Sequence, residues 1–256
     1  WKVIHQYENY SLFPDETLYD KEADSNSKTL LAAMLFHNMG HNVLFLYSTM
    51  QHHGAVGIEV KKEWISGDNN LFGHKLDEIT FTYNNRSYLF CETTSDGFRI
   101  GGTMDGMRYD DFEEHIELPL NENDVDDSGE ESNTRFYVWE LDSELKSDSD
   151  PENKLIGKYT LEFSKTEIDD LRKMNPFQTY SDSDNQNSYE TNIRTIFSYL
   201  NDEAERTDKV REIALYIKKS IRDAKLGELD LLQFALDFCQ APNITYQVDE
   251  HSSGIN

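Results

Sequence analysis

Apolar residues recur along this chain at two different periods. Between Thr29 and Met39 the residues Leu30, Leu31, Met34 and Leu35 fall on one helical face, and Gly40 follows as a stop signal. Asp24 or Ser25 offers a side-chain oxygen to the start of that helix. The period then shortens to that of a strand. Val43–Tyr47, Ala55–Val60, Ile79–Tyr83 and Tyr88–Glu92 read as strands, the last two joined by Asn84-Asn85, a dipeptide suited to a hairpin turn. Residues 1–120 therefore predict one helix followed by an antiparallel sheet. Residues 121–134 are polar and acidic with no apolar periodicity, so a loop is expected there. Arg135–Leu141 and Leu155–Phe163 predict a second hairpin. A polar stretch from Tyr180 to Asn187 leads into three expected helices. Their apolar faces are Ile193, Ile196, Phe197 and Leu200, then Val210, Ile213, Ala214 and Ile217, then Leu229, Leu232, Phe234 and Phe238.

Composition narrows the class. At 256 residues, 37% apolar and 29% charged, the chain is long enough to bury one sizeable core. The longest apolar run, Leu30 to Phe36, falls far short of the roughly 20 residues that a membrane span needs. With 24 basic against 49 acidic residues the formal charge is −25, which argues against a nucleic-acid or anionic-membrane binder, serves solubility first, and as an alternative attracts a basic peptide or amine ligand. The sequence opens on Trp1 rather than Met, so a trimmed or mature piece is expected, and the compartment stays open. Cys91 and Cys239, one in a strand pattern and one in a helix pattern, form no disulfide framework.

The segment Glu16-Thr17-Leu18 … Asp24-Ser25-Asn26-Ser27-Lys28, followed by the apolar helix, resembles the nucleophile segment of bacterial transglutaminase-like cysteine peptidases. In that family a G-D-C-E-D stretch carries the cysteine; here Ser25 stands in its place, and Glu22, Ala23, Asn26 and Ser27 also depart from the pattern. His53-Gly54-Ala55-Val56-Gly57 resembles the segment holding the family's histidine. Tyr88 … Glu92-Thr93-Thr94 with Gly97 … Ile100-Gly101 resembles the segment holding the residue that orients it. Phe238-Cys239-Gln240 through Tyr246 and Asp249 looks like a segment that the family places upstream of the nucleophile. Joined tail to head, the chain runs in family order, so the resemblance implies a circularly permuted domain spanning 1–256. In it, 1–120 would form the helix and sheet core, 121–134 an acidic loop, and 135–256 the hairpin and helices completing the same domain. Trp1 and Asn256 should then lie close together.

The resemblance implies an α+β fold with a papain-like core, in which a helix bearing position 25 packs on an antiparallel sheet bearing His53 and Glu92. Catalysis of this kind needs a nucleophile at a helix N-terminus, a histidine to take its proton and a group to orient the histidine. Ser25, His53 and Glu92 are the vestigial triad positions, and Gln240 is either an oxyanion donor or a polar helix-end residue. Ser25 itself stays open between helix cap, nucleophile and engineered replacement; His53 stays open between cleft residue and packing residue. The implied function is a catalytically inactive transglutaminase-like domain that binds a peptide or protein or serves as a scaffold. The alternative is a peptidase-like or amide-transferase enzyme using Ser25, or a cysteine there in a parent protein, with His53 and Glu92. No cofactor is called for. His37 with His41 and His52 with His53 are poorly disposed for a shared metal, and Asp124, Asp126, Ser128 and Gly129 copy only the first half of a calcium loop, with Arg135 where its glutamate belongs.

Overall fold

A computed structural model of the protein describes residues 11–48, 50–51, 53–64, 70–71, 74–75, 79–94, 97–102, 107–118, 138–146, 154–162, 165–174, 208–223, 225–240 and 245–246. Pro14 opens a short helix, Pro14–Asp20 (α1), where its missing N–H costs nothing and Glu16 reaches back to accept from the Phe13 N–H at 2.7 Å. Two residues of strand, Glu22–Ala23 (β1), lead into the helix Ser25–Asn38 (α2). It begins four residues before the expected Thr29, because Asp24 caps it by accepting from Ser27 N–H at 2.7 Å. It ends in a left-handed Gly40, with Gly40 N–H bonding His37 O and His41 N–H bonding Phe36 O.

Five antiparallel strands follow: Val43–Ser48 (β2), His53–Glu59 (β3), Thr80–Tyr83 (β6), Arg86–Cys91 (β7) and Glu114–Leu118 (β8). Between β3 and β6 lies a two-residue ribbon, Asn70–Leu71 (β4) with His74–Lys75 (β5). The strand order is β6-β7-β3-β2-β8, and the turn at Asn84-Asn85 has both residues at positive φ, the conformation that matches strand twist in a tight hairpin. Val138–Lys146 (β9) and Lys154–Glu162 (β10) pair with each other. The other α-helices among the described residues are Lys165–Met174 (α3), Asp208–Asp223 (α4) and Glu228–Cys239 (α5), and Thr245–Tyr246 (β11) pairs in parallel with β1. The fold class is α+β, as expected.

The alternation along the strands builds two cores. Val43, Phe45, Val56, Ile58, Leu89, Cys91, Ile116 and Leu118 face the helices, where they share one buried cluster with residues of α2, α4 and α5. Leu44, Leu46, Ala55, Tyr88 and Phe90 point the other way and form a second cluster with Met107 and Phe112. On that second side the sheet curls. Tyr83 of one edge strand meets His115 of the other with ring centroids 5.0 Å apart, and Phe81 stacks on Tyr109 at 4.1 Å. Gly57 makes room for this curl, since a Cβ there would lie 2.7 Å from the Phe81 ring. Leu30, Leu31, Leu35 and Phe36 of α2 are fully buried, each stabilising the fold by about 1.5–3 kcal/mol relative to exposure.

β8, α1 and α3 were not predicted. Glu114-His115-Ile116-Glu117-Leu118 is too polar to stand out as a strand, and along α3 the apolar signal is sparse, with Ile168 and Leu171 buried. The loop 121–134, His52, the start of the second hairpin at Arg135, the expected helix around Ile193–Leu200 and both termini lie outside the described residues, as therefore does the proximity of Trp1 to Asn256.

Candidate functional site

The start of α2, the start of β3 and the end of β7 come together at one place. β3 can approach α2 there because Gly54 has no side chain: a Cβ would meet Asn26 Oδ1 at 2.9 Å and Thr29 Oγ1 at 3.0 Å. His53, one residue earlier, faces the curled side of the sheet, with its ring 6.3 Å from that of Phe112. Glu92 follows β7 on the same side, in step with Tyr88 and Phe90. Cys91 points to the opposite face, as the alternation predicts.

His53 Nε2 lies 2.8 Å from Glu92 Oε2. The carboxylate is fully buried, at 0% exposure, and its other oxygen, Oε1, accepts from Thr93 N–H at 2.9 Å, Thr94 N–H at 2.8 Å and the Thr94 hydroxyl. Burial alone would raise its pKa. The hydrogen bond and charge of His53, together with the bonds from Thr94, outweigh that and hold Glu92 below the usual carboxylate range. An ionised Glu92 can only accept, so in the neutral form of the ring the proton sits on Nε2 and the lone pair on Nδ1. Nδ1 has no hydrogen-bond partner among the described residues and is not among their sealed, unpartnered atoms. The available base therefore opens outward.

Ser25 is the first residue of α2, 5% exposed, and its hydroxyl has no hydrogen-bond partner among the described residues. Of the two residues expected to cap the helix, Asp24 does so and Ser25 does not. Ser25 thus occupies the helix position where a backbone dipole favours negative charge on the side chain. Asp24 and the nearby Glu113 give this rim a negative field: burial first, then Asp24 and Glu113, push the Tyr47 phenol well above its ordinary pKa. Tyr47 pairs across the sheet with Gly54, beside His53.

Gln240, just beyond α5, is brought to the same place but faces inward. Its Nε2 donates to Glu92 O at 3.0 Å and to Phe98 O at 3.3 Å, so both amide hydrogens are committed to bracing the segment that carries Glu92. An oxyanion role would require these bonds to open. Both cysteine thiols are buried, which pushes their pKa up, and neither can substitute for a nucleophile at position 25. Among the described residues no group of three or more His, Cys, Asp or Glu is arranged to hold a metal ion.

Four further residues meet at this site, Lys28, Thr29, Thr93 and Thr94, none of which the motifs single out. Lys28, fully buried, donates from Nζ to Thr94 O at 3.2 Å. Thr29 Oγ1 donates to Ser25 O at 2.7 Å and lies 3.0 Å from Thr93 Oγ1. The signal was present in Glu92-Thr93-Thr94, where two hydroxyls follow a buried acid.

No family model matches the chain, and neither a curated protein nor a solved structure is found that matches it.

Proposed function

We propose that this chain is a transglutaminase-like domain in permuted order that has given up its chemistry and kept its cleft as a peptide- or protein-binding site. The observation that carries the reading is the contrast at that site. The His53–Glu92 pair is fully built, with every oxygen of the carboxylate engaged, while position 25 at the helix start holds a serine that makes no bond to the imidazole. A serine hydroxyl is far less acidic than a thiol, so the dipole and imidazole that ionise a cysteine leave it protonated. The papain-like core belongs to this proposal, as does the permuted order. The β1–β11 pairing supports the latter, since it seats Thr245-Tyr246 beside Glu22-Ala23, close to the Glu16-Thr17-Leu18 segment. The partner is a basic or amine-bearing peptide, attracted by the overall charge of −25 and by Asp24 and Glu113 at the rim.

The test uses the full chain and its Ser25→Cys variant. A library of peptides and glutamine donors should give no turnover with the unmodified chain. Basic peptides should bind with association rates that fall as salt is raised. In Ser25→Cys, iodoacetamide should alkylate position 25 faster at pH 6.5 than it alkylates a free cysteine, because the helix start and His53 still favour a thiolate. Hydrolysis by the unmodified chain that disappears in Ser25→Ala would replace this reading with the second one, a serine-based amide hydrolase using His53 as base and Glu92 as its orienter.

A further inference from the structure

We infer that Thr29 and Thr93 form a two-hydroxyl strut that sets the spacing between position 25 and the His53–Glu92 pair, and so are positioning residues of this cleft. The inference rests on the cleft proposed above and adds residues to it.

The direction of the bonds follows from the number of protons. Thr29 has one hydroxyl hydrogen, and it is used on Ser25 O at 2.7 Å. In the 3.0 Å contact with Thr93, Thr29 therefore accepts and Thr93 donates. The chain of contacts runs from the backbone of residue 25, through two hydroxyls, to the residue whose own N–H holds Glu92 Oε1 at 2.9 Å. Both threonines are fully buried, so water does not compete for these bonds. A second tie runs parallel to it, from Lys28 Nζ to Thr94 O at 3.2 Å. The three residues Glu92, Thr93 and Thr94 thus divide the work: one carboxylate orients the imidazole, one hydroxyl reaches the helix start, and one residue supports the carboxylate while holding Lys28.

A helix packed on a sheet through apolar contacts alone can slide by a few tenths of an ångström with little penalty. Directional bonds between buried hydroxyls cannot be made at two registers. The strut therefore fixes how near the side chain at position 25 stands to His53 Nδ1. Thr93→Val keeps the shape and removes the donor. Thr93→Ser keeps the donor.

The experiment follows the alkylation rate of Ser25→Cys against pH, alone and combined with Thr93→Val or Thr93→Ser. With the strut lost, the rate at pH 6.5 should fall about tenfold while the rate at pH 9.5 stays within about twofold, because thiolate formation is impaired and access is not. Thr93→Ser should restore the profile. A Thr93→Val profile that superimposes on its parent overturns the strut, as does a failure of Thr93→Ser to restore it. If Ser25→Cys reacts no faster than a free cysteine at any pH, the proposed cleft fails, and the strut is judged separately in the unmodified chain by proton NMR. The downfield His53 imidazole N–H resonance should then be lost in Thr93→Val and kept in Thr93→Ser. A resonance unchanged in Thr93→Val overturns the strut.

Discussion

His53 and His41 are both shielded from solvent, at 7% and 1% exposure, and each has a glutamate oxygen within 4 Å. What separates them is how the glutamate spends its bonds. Glu92 puts one oxygen wholly on the His53 imidazole at 2.8 Å, and its other oxygen accepts from the Thr93 and Thr94 N–H groups and the Thr94 hydroxyl. Glu228, at the start of α5, is taken by Lys61 Nζ and by Trp64 Nε1 at 2.8 Å, and its approach to His41 is 3.8 Å. Both ring nitrogens of His41 are left without a hydrogen bond among the described residues, and the ring packs at a tilt on Trp64, 5.7 Å away. Burial, then the positive charge of Lys61, opposed by Glu228 and joined by Lys218, bring its pKa down to about 4. One histidine is an oriented base. The other is a neutral packing group.

The largest break in this comparison should come from Glu92→Ala. It strands the donors of His53, Thr93 and Thr94 in a buried space, and breaking such a network costs on the order of 3–5 kcal/mol. Urea denaturation of the variant should show a loss of that size, and a loss below about 1 kcal/mol would mean the pair is not assembled in solution.

The next effect is a pH dependence assigned to the other histidine. A folded-state pKa of about 4 against 6.5 unfolded means the unfolded chain binds more protons between those values. The stabilisation is therefore complete above pH 6.5 and is lost as pH falls from 6.5 towards about 4. Between pH 7 and pH 5 the loss should be about 2 kcal/mol, and His41→Leu should remove it. Glu92 and Glu228, both held below the usual carboxylate range, add their own losses only at lower pH, below about 4.5. A stability curve of the His41→Leu variant as steep as the parent's over pH 5 to 7 would move the effect to another group.

The smallest effect should be that of Lys61→Ala. Lys61 and Glu228 are each about a third exposed, so solvent screening limits their pair to under about 1 kcal/mol. That variant should also make His41 easier to protonate, since it removes a cation and frees Glu228. Its pH-dependent loss should therefore shift to higher pH by a measurable fraction of a unit.

The apolar periods were enough to place α2, the strands of the sheet and α5, because each of these elements buries a regular face. They were not enough for β8, where Ile116 and Leu118 alternate with His115 and Glu117 and the apolar signal is two residues long. At the site, Ser25, His53 and Glu92 are legible from the spacing of the segments that carry them, and the structure brings His53 and Glu92 within 2.8 Å of each other. The cap was ambiguous for a physical reason: Asp24 and Ser25 are both good cap residues, and the choice depends on which hydroxyl or carboxylate has another task. The inward turn of Gln240 and the Thr29–Thr93 contact span 148 and 64 positions of sequence, and no local pattern encodes which partner a distant side chain will find.

The curl of the sheet also bears on its two edges. An open antiparallel sheet ends in two strands with unpaired N–H and C=O groups, each a template on which another chain can add a strand. Here the edge strands β6 and β8 turn towards each other until Tyr83 meets His115 and Asn84 reaches Glu117 at 3.4 Å. These contacts tie one edge of the sheet to the other through an aromatic pair and a polar bond, so the residues that close the second core also draw the two edge strands together.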